Sequence, residues 1–406
     1  MPTLRLYEEN SHLTSHDARV LSCERRPEGF AVVPDRCCLF PTAGGQPHDT
    51  GTIGGVPVTD VREEEDSLAL ITERPLPAGG IVRVTLDWQR RFDFMQQHTG
   101  AHLFSYVLFR DLGLNNVGFH LADAYATIDT DRAVSREELA EAVLTTNAMI
   151  ARDLAVTACT FESEEALAAS GLRLRKHAKG LVPPIRVVSI EDADACTCCA
   201  PHCARTGEIG CLLVTDCIPW KGGTRITFVC GQRAVRTAAA DHAALDAVAR
   251  SFSSKREDVP GAVARLRDEL SSARAASRAL GERLNAYLAK ELTEEGTAAG
   301  GNLLCVRTFE GLDAKQLSSL GAMVAETPKT LAVLFSAEKE RTDYLITAGA
   351  GFPVDAGELA GIVNMMTGGR GGGRGARAQG SIPHAVPPET ACQLLSYLAS
   401  RLGGKA

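Results

Sequence analysis

The stretch MQQHTGAHLF, residues 95–104, carries the strongest local signal in this 406-residue chain. It lies within 93–112, a segment without proline whose second half is mostly apolar, and this composition predicts a helix. His98 and His102 are four positions apart, so they lie on the same face of that helix and can both reach one metal ion. Histidine pairs at this spacing also arise by chance, so a second pair of ligands is needed elsewhere in the sequence.

Composition and charge are those of an ordinary globular protein. Hydrophobic residues make up 45% of the chain and charged residues 23%, and the length predicts two or three domains. No apolar run approaches the roughly 20 residues that a membrane span needs, and the start, MPTLRLYEEN, lacks the regions of a signal peptide. We therefore expect a soluble, cytosolic protein. The net charge of −7 argues against tight non-specific binding to nucleic acid but allows a specific RNA partner.

The pattern of elements predicts an α+β protein in four parts. Residues 1–90 contain short apolar runs broken by Gly and Pro turns, which predicts an N-terminal β-barrel-like domain or an open sheet. Residues 91–235 mix helical and strand patterns and predict an α/β domain with the candidate metal site. Residues 236–295 predict a helical, coiled-coil-like connector, and residues 296–406 predict a C-terminal α/β domain.

Two helix starts are marked by their sequence. Ser135 is followed three residues later by Glu138, which is the pattern of a capping box. In the connector, Asp258 is a candidate N-cap and Pro260 lies in the first turn of the predicted helix. Apolar or small residues then recur at alternating steps of three and four: Val263, Leu266, Leu270, Ala273, Ser277, Leu280, Leu284 and Tyr287. This heptad pattern fits either a helix packed on its own chain or a dimeric coiled coil.

The second half of the candidate metal site lies in DADACTCCAPHCARTGEIG, residues 192–210. Cys198 and His202 are again four positions apart. Together with His98 and His102 they provide three imidazoles and one thiolate. Zinc takes nitrogen and sulfur ligands in a tetrahedral arrangement, so this set predicts a zinc site.

Further cysteines in the same segment leave the ligand set open. Seven of the chain's 13 cysteines lie between Cys196 and Cys230, and such clustering in a reducing compartment favours metal binding or thiol chemistry over disulfides. Cys196 and Cys199 form a CxxC pair, which could bind a metal with two other ligands or cycle as a dithiol. Cys196, Cys199 and Cys203 could equally be small packing residues.

Taken together, these motifs resemble the editing domain of alanyl-tRNA synthetase. The family's pattern is HxxxH, here His98 to His102, and then CxxxH, here Cys198 to His202, followed by TGEIG at 206–210. Other matching stretches are FPTAGGQPHDTG (40–51), GFHLADAYATIDTD (118–131), KGGTRITFVCGQRA (221–234) and, in the last part, GGRGGGRGARAQG, which resembles the synthetases' C-terminal domain. The resemblance covers nearly the whole chain and implies a free-standing trans-editing protein of the AlaX type in its long form.

The resemblance implies hydrolysis of the ester that joins a wrong amino acid, serine or glycine, to alanine tRNA. An aminoacyl ester is already activated, so the enzyme needs mainly a positioned water and an anchored tRNA end. Such editing is useful because a synthetase pocket built for alanine rejects the added hydroxyl of serine by only about a hundredfold.

Two residues near the predicted ligands are candidates for catalysis. Gln46 lies in the glycine-rich stretch 44–51, which neighbours the pocket in the family, and we predict that it contributes to the reaction. The alternative is that these glycines only make a tight turn. Thr99, beside His98, either faces the pocket or caps a local turn.

Three arginines are candidates for tRNA binding. Arg370, Arg374 and Arg377 lie among glycines in a predicted loop, 366–382, where both backbone and guanidinium groups can approach a phosphate. The alternative is a flexible surface loop with solvated charge. In the family this domain supports tRNA contact and dimerisation, so the resemblance also implies a homodimer.

The sequence departs from the family pattern between the last two ligands. The family has two glycines and a threonine there, whereas this chain has Cys199, Ala200 and Pro201, and Cys203 follows the last ligand. Proline stiffens such a turn.

Rival interpretations are another metal-dependent hydrolase, a non-catalytic protein that binds zinc and tRNA, and a redox sensor that uses Cys196 to Cys203. The C-terminal glycine-rich segment also resembles phosphoesterases of the DHH type. The nearest match to that motif is Asp241-His242-Ala243, in a predicted helix.

Overall fold

Both helices and strands occur throughout the part of the chain that the structure describes. The computed structural model describes residues 2–175, 181–338 and 340–403, and over these ranges the predicted mixed α+β class is confirmed. The chain divides into two units, Met1–Val248 and Ala249–Ala406. The predicted boundary between residues 90 and 91 lies inside the first unit, and the finer four-part division stays a prediction. No helix in the described ranges is both long and apolar enough to cross a membrane.

The first unit begins with a small barrel. The elements of this part of the chain are β1 (Leu4–Arg5), α1 (Leu6–Glu9), β2 (Ser15–Arg26), β3 (Gly29–Pro34), β4 (Arg36–Cys37), β5 (Gly51–Ile53), β6 (Val56–Glu64), β7 (Ser67–Thr72) and β8 (Ile81–Leu86). Six strands pair in the order β2-β3-β7-β6-β5-β8, and β8 pairs back with β2, so the ring is closed. Alternating apolar side chains such as Val20, Val32 and Leu70 fill its interior.

The helix that carries MQQHTGAHLF is α2, Trp88–Leu112, and it begins five residues before the predicted start. Asp87 caps it by accepting hydrogen bonds from the backbone N–H groups of Gln89 and Arg90. Gly113, with a left-handed φ of 63°, ends it. Every residue from 94 to 105 is buried. The middle of the helix therefore lies inside the unit and is covered on all sides, instead of showing one apolar face.

Two antiparallel sheets and three helices follow α2. They are β9 (Asn116–Leu121), β10 (Ala126–Thr130), α3 (Arg136–Ala151), β11 (Val156–Phe161), α4 (Glu164–Ala169), β12 (Ile185–Ile190), β13 (Ala195–Thr197), β14 (Leu212–Trp220), β15 (Gly223–Cys230) and α5 (Gly231–Ser251). The sheet orders are β14-β15-β10-β9 and β11-β12-β13. The predicted capping box of Ser135 and Glu138 at the start of α3 is confirmed.

One buried ion pair ties α2 to the segment between β4 and β5. Arg91 and Asp49 are both fully buried, and Arg91 Nε lies 3.1 Å from Asp49 Oδ1 and 3.0 Å from Oδ2. Arg91 also donates to the carbonyl oxygens of Cys38, at 2.6 Å, and Ser11, at 2.8 Å. Asp49 accepts a further hydrogen bond of 2.7 Å from the N–H of Phe40. Both charges are thus paired and hydrogen-bonded, which is the condition under which buried ions are tolerated.

The second unit has a six-stranded sheet and a long helix. Its elements are α6 (Val259–Glu294), β16 (Thr297–Ala299), β17 (Asn302–Glu310), α7 (Ala314–Ala325), β18 (Thr330–Ala337), β19 (Thr342–Ala348), α8 (Ala356–Thr367), β20 (Arg370–Arg374), β21 (Arg377–Ile382) and α9 (Pro388–Gly403). The strand order is β16-β17-β18-β19-β21-β20. Asp258 lies at the N-cap position of α6, but its side chain makes no capping hydrogen bond. A short 3-10 turn, Arg256–Asp258, already gives Asp258 a helical backbone, and capping needs an extended one.

The prediction of a glycine-rich loop at 366–382 is wrong, because most of this segment forms the hairpin of β20 and β21. A Cβ atom at Gly371 would lie 2.5 Å from Tyr344 Oη, and one at Gly373 would lie 2.1 Å from the carbonyl oxygen of Arg377. The glycines therefore permit a close approach of an edge strand to its neighbours, which is their other common use in proteins.

We expect Asp49→Ala to lower the free energy of unfolding of the first unit by about 3–5 kcal/mol, because it leaves the charge of Arg91 buried and unpaired. Both tryptophans of the chain, Trp88 and Trp220, lie in the first unit. Tryptophan fluorescence during urea unfolding therefore reports on this unit alone.

The matched control is Asp17→Ala, which breaks an exposed pair with Arg83. Such pairs contribute at most about 1 kcal/mol. A change for Asp49→Ala no larger than that of the control would show that the buried pair does not hold the unit together.

Candidate metal centre

The structure brings the four predicted ligands together. The ligand atoms of His98, His102, Cys198 and His202 all lie within 4.8 Å of one another. Cys198 Sγ is 3.5 Å from His98 Nε2 and 3.3 Å from His202 Nε2. A tetrahedral zinc ion with ordinary bond lengths places sulfur and nitrogen ligands about 3.5 Å apart. The donor set and its spacing therefore fit this metal.

The alternative ligand set is not formed. Over residues 2–175, 181–338 and 340–403, the cluster just described is the one group of three or more His, Cys, Asp or Glu side chains placed to hold a metal. Cys199 is exposed, while Cys203 is buried and burial raises its thiol pKa to about 12. The packing interpretation of Cys203 agrees with this environment.

Gln46 and Thr99 each contact Nδ1 of one histidine ligand, the ring nitrogen that faces away from the cluster. Gln46 Oε1 lies 2.8 Å from His98 Nδ1, and Thr99 Oγ1 lies 3.0 Å from His202 Nδ1. Thr99 Oγ1 also accepts a hydrogen bond of 3.1 Å from the N–H of Cys203. When Nδ1 carries the proton, Nε2 is left bare toward the cluster, which is the tautomer that binds a metal. Neither residue is part of the walls of the two cavities described below, so their predicted catalytic role stays a prediction.

Electrostatics in the cluster favour a thiolate. Burial raises the pKa of Cys198, but His98 and His202 outweigh it and hold this pKa well below its usual value. Burial lowers the pKa of His202 to about 3. Burial also acts to lower the pKa of His102, but Asp194 and Cys198 outweigh it and raise the pKa to about 10. The thiolate is the metal-binding form of cysteine, so a lowered pKa of Cys198 suits a site for a cation.

The residues that depart from the family pattern form a firmly held turn. Arg186, on β12, donates through Nη1 to the carbonyl oxygens of Cys198, at 2.8 Å, and Ala200, at 2.9 Å. Ala200 is fully buried in the core of the barrel. Pro201, which has no N–H to satisfy, fits this turn without displacing His202 from the cluster.

Polar side chains that the sequence analysis missed fix α2 in place. Gln97 Nε2 donates to the carbonyl oxygen of Cys230 at 3.1 Å, and Gln97 Oε1 accepts from the N–H of Cys230 at 2.6 Å. Gln96 Nε2 donates to the carbonyl oxygen of Glu208 at 2.8 Å. A Cβ atom at Gly100 would lie 2.4 Å from Cys230 Sγ, so glycine permits this close packing. Two consecutive glutamines before the histidine motif were the available signal, since buried amides need partners.

His102 has an acidic neighbour that the sequence analysis also missed. Asp194 Oδ2 lies 3.3 Å from His102 Nδ1, and Arg175 Nε donates to Asp194 Oδ1 at 2.7 Å. Asp194 belongs to the acidic run EDADAC before the cysteine motif, but that run alone does not say which residue turns inward.

Two concave regions converge on the cluster. A cavity of about 410 Å³ has a wall that includes His98, His102, Ser105, Asn116, Phe119 and Arg175. A groove of about 1250 Å³ reaches the same two histidines and extends past residues that include Arg5, Arg186 and Cys199. A ligand could therefore place one part in the small cavity and a larger part in the groove.

The three candidate arginines lie in the second unit. Arg370, Arg374 and Arg377 are all exposed on the hairpin of β20 and β21. Arg377 Nη2 donates to Ser318 Oγ at 2.9 Å. Their predicted binding of tRNA stays a prediction. Asp241-His242-Ala243 lies in α5, as the sequence predicts.

Comparison with known proteins finds relatives whose names agree on alanyl-tRNA. The family model of the threonyl and alanyl tRNA synthetase second additional domain matches residues 185–226. The alanyl-tRNA editing protein AlaX-L of Pyrococcus horikoshii is 28% identical over 414 residues, which cover 98% of this chain and 99% of that protein. The alanyl-tRNA editing protein Aarsd1 of Mus musculus is 28% identical over 357 residues, which cover 87% of this chain and 84% of that protein. The chain is thus similar, over most of its length, to proteins named as alanyl-tRNA editing proteins.

The chain is also similar to part of a larger enzyme. An alanine–tRNA ligase of Thermococcus kodakarensis is 31% identical over 405 residues, which cover 96% of this chain but 43% of the ligase. The chain thus spans less than half of that ligase and nearly all of AlaX-L. The resemblance inferred from the sequence motifs is confirmed.

Proposed function

We propose that this chain is a trans-editing hydrolase that deacylates alanine tRNA mischarged with serine or glycine, at a zinc centre. The observation that carries the proposal is the convergence of His98, His102, Cys198 and His202 at the meeting point of a small cavity and a larger groove. The relatives called alanyl-tRNA editing proteins support the same substrate class. A cytoplasmic location stays part of this proposal.

Zinc is the metal that the donor set favours, since it combines imidazole and thiolate ligands at tetrahedral spacing. When bound, it would supply a structural cross-link if all four ligands stay, or polarisation of a substrate oxygen if one position opens. His98, His102, Cys198 and His202 would hold it.

The two concave regions suit the two parts of the substrate. The cavity is apolar at Val117 and Phe119 and polar at Ser105 and Asn116, a wall suited to a small amino acid with a hydroxyl group. The groove is large enough for nucleotides of the tRNA 3′ end. Because the ester is already activated, holding it between these sites and admitting one water supplies much of the rate.

We expect the wild-type protein to remove serine from alanine tRNA much faster than alanine, and Cys198→Ala/His202→Ala to abolish this activity. The double change removes two of four ligands, so bound metal should fall from about one ion per chain to none. Deacylation of both charged tRNAs and elemental analysis measure the two effects. Cys159→Ala is the matched control, because this thiol of the same unit is exposed and lies outside both the cluster and the residues that line the groove.

The same deacylation assay tests the role of Gln46 through the variant Gln46→Ala. If Gln46 orients His98, the rate should fall about 10- to 100-fold, and an unchanged rate and unchanged preference for serine would rule out its role. Slow and equal loss from both tRNAs by the wild type would favour a different hydrolase substrate.

We also propose that Arg370, Arg374 and Arg377 bind tRNA phosphates. The groove itself brings little net charge, since Arg5 and Arg186 are offset by acidic residues of its wall, which are Glu8, Glu9 and Asp66. Exposed arginines elsewhere are therefore needed to attract a polyanion to a chain of net charge −7.

We expect changing these three arginines together to Gln to weaken binding of uncharged alanine tRNA and to reduce its salt dependence, by up to about 0.9 in log–log slope for each phosphate that the protein no longer neutralises. Fluorescence anisotropy between 50 and 200 mM salt, the range over which such interactions change affinity strongly, measures both quantities. The matched control changes the same number of exposed arginines on α6, which are Arg267, Arg274 and Arg278. Equally weakened binding in both triple variants would show a general charge effect.

Finally, we propose a homodimer through the heptad residues of α6. Four leucines of this pattern remain substantially exposed: Leu266 (51%), Leu270 (48%), Leu280 (62%) and Leu284 (49%). An apolar stripe at heptad spacing is the surface that a coiled-coil partner covers.

We expect sedimentation velocity at micromolar concentration to show a dimer for the wild type and a monomer for Leu270→Glu/Leu280→Glu, because buried charges at seam positions oppose pairing. Met365→Glu, which alters an exposed apolar residue of the same unit outside this helix, should remain a dimer. A monomeric wild type would contradict the proposal.

A further inference from the structure

Asp194 and Arg175 form a chain of charged groups behind the ligand His102. Asp194 Oδ2 lies 3.3 Å from His102 Nδ1. Arg175 Nε donates to Asp194 Oδ1 at 2.7 Å, and Nη2 donates to Oδ2 at 3.2 Å. The side chain of Asp194 is 1% exposed and that of Arg175 is 11% exposed. The three groups thus run, largely shielded from water, from the metal cluster to the wall of the small cavity.

We propose that Asp194 and Arg175 are positioning residues that orient the ring of His102 for metal binding. Buried His102 Nδ1 has no well-aligned hydrogen-bond partner among the described residues, and the carboxylate of Asp194 is the acceptor beside it. A histidine that binds a metal through one ring nitrogen donates through the other, most often to a carboxylate or a carbonyl group. This contact selects the tautomer in which Nε2 is free for the metal.

His102 differs in this respect from the other two histidine ligands. His98 faces the amide of Gln46 and His202 faces the hydroxyl of Thr99, and both of these partners are neutral. A carboxylate makes the attached imidazole a stronger donor to the metal than a neutral partner does. Among the three histidine ligands, His102 is therefore the one whose binding to the metal is strengthened by a charged partner.

Arg175 gives Asp194 its orientation. A buried carboxylate is stable only when it is paired and hydrogen-bonded, and the two-point contact with the guanidinium meets this need while fixing the plane of the carboxylate. The backbone N–H of Arg175 also donates to the carbonyl oxygen of Ala195 at 2.9 Å, beside Asp194 in sequence. Arg175 thus holds both the side chain and the neighbouring backbone of the residue that holds His102.

This inference rests on the metal centre of the proposed function, and metal affinity tests it without tRNA. We expect Asp194→Asn and Arg175→Met each to weaken zinc binding by about 10- to 100-fold, measured by competition with a chelator of known affinity. The double variant should bind zinc no more weakly than Asp194→Asn alone, because both residues act through the same ring. Cobalt(II), which reports ligand geometry through its visible absorption, should show altered bands in both single variants.

The matched control is Arg225→Met. Arg225 contacts Asp129 in the same side-on geometry, with Nε–Oδ1 at 2.7 Å and Nη2–Oδ2 at 2.8 Å, on strands of the same unit. Its zinc affinity and cobalt spectrum should equal those of the wild type. Urea unfolding followed by tryptophan fluorescence identifies any variant that fails to fold, and Asp194→Glu, which keeps the charge, then serves as the second variant and should retain more affinity than Asp194→Asn.

The outcomes separate this proposal from the one on which it rests. If the wild type binds no zinc, the metal centre and the proposed function fail together. If the wild type binds zinc but Asp194→Asn and Arg175→Met keep its affinity and its cobalt spectrum, the positioning role is overturned and the metal centre stands. Equally reduced affinity in these variants and in Arg225→Met would also overturn it, since it would reflect a general decrease in stability.

Discussion

The geometry of the metal cluster depends on the buried contact between Arg91 and Asp49. Arg91 and His98 are seven positions apart on α2, so they lie on the same face of the helix. Asp49 and Gln46 are three positions apart in the segment between β4 and β5, and they contact Arg91 and His98 respectively. Sliding or rotating the helix by one residue would separate both contacts at once. The ion pair therefore sets the register of α2 against the barrel and, with it, the position of the first ligand.

The buried polar side chains of α2 form hydrogen bonds with the structure on both sides of the helix. Gln97 exchanges two hydrogen bonds with the backbone of Cys230, much as a neighbouring strand residue would, and this fixes the helix against β15. Thr99 reaches the opposite way and bridges the backbone of Cys203 and the ring of His202. One helix thus supplies two ligands and also places the segment that supplies the other two. A metal site needs this rigidity, because its ligands must be held within about 0.5 Å of their working positions.

The sequence predicts what is encoded in short spacings and leaves unpredicted what depends on distant contacts. The two ligand pairs and the capping box of Ser135 are local patterns, and the structure shows each of them. The contact of Asp194 with Arg175 joins residues nineteen positions apart without periodicity, so nothing in the sequence marks it. The glycine-rich hairpin was misread because glycine serves both loops and close strand packing, and the partner that decides, Tyr344, is distant in sequence. The preference of zinc for imidazole and thiolate ligands joined the two ligand pairs into one predicted site, and the family resemblance led to the same four residues.

In the proposed reaction, the residues of the two units affect different kinetic constants. Residues around the ligands, such as Gln46 and Asp194, act on groups next to the ester, so their interactions can change as the bond breaks. Arginines of the second unit that hold tRNA phosphates, and not the ester, would bind the ground state and the transition state equally, and such uniform binding lowers KM without raising kcat. Exposed arginines of the second unit, which would contact phosphates and not the ester, can supply this affinity for tRNA.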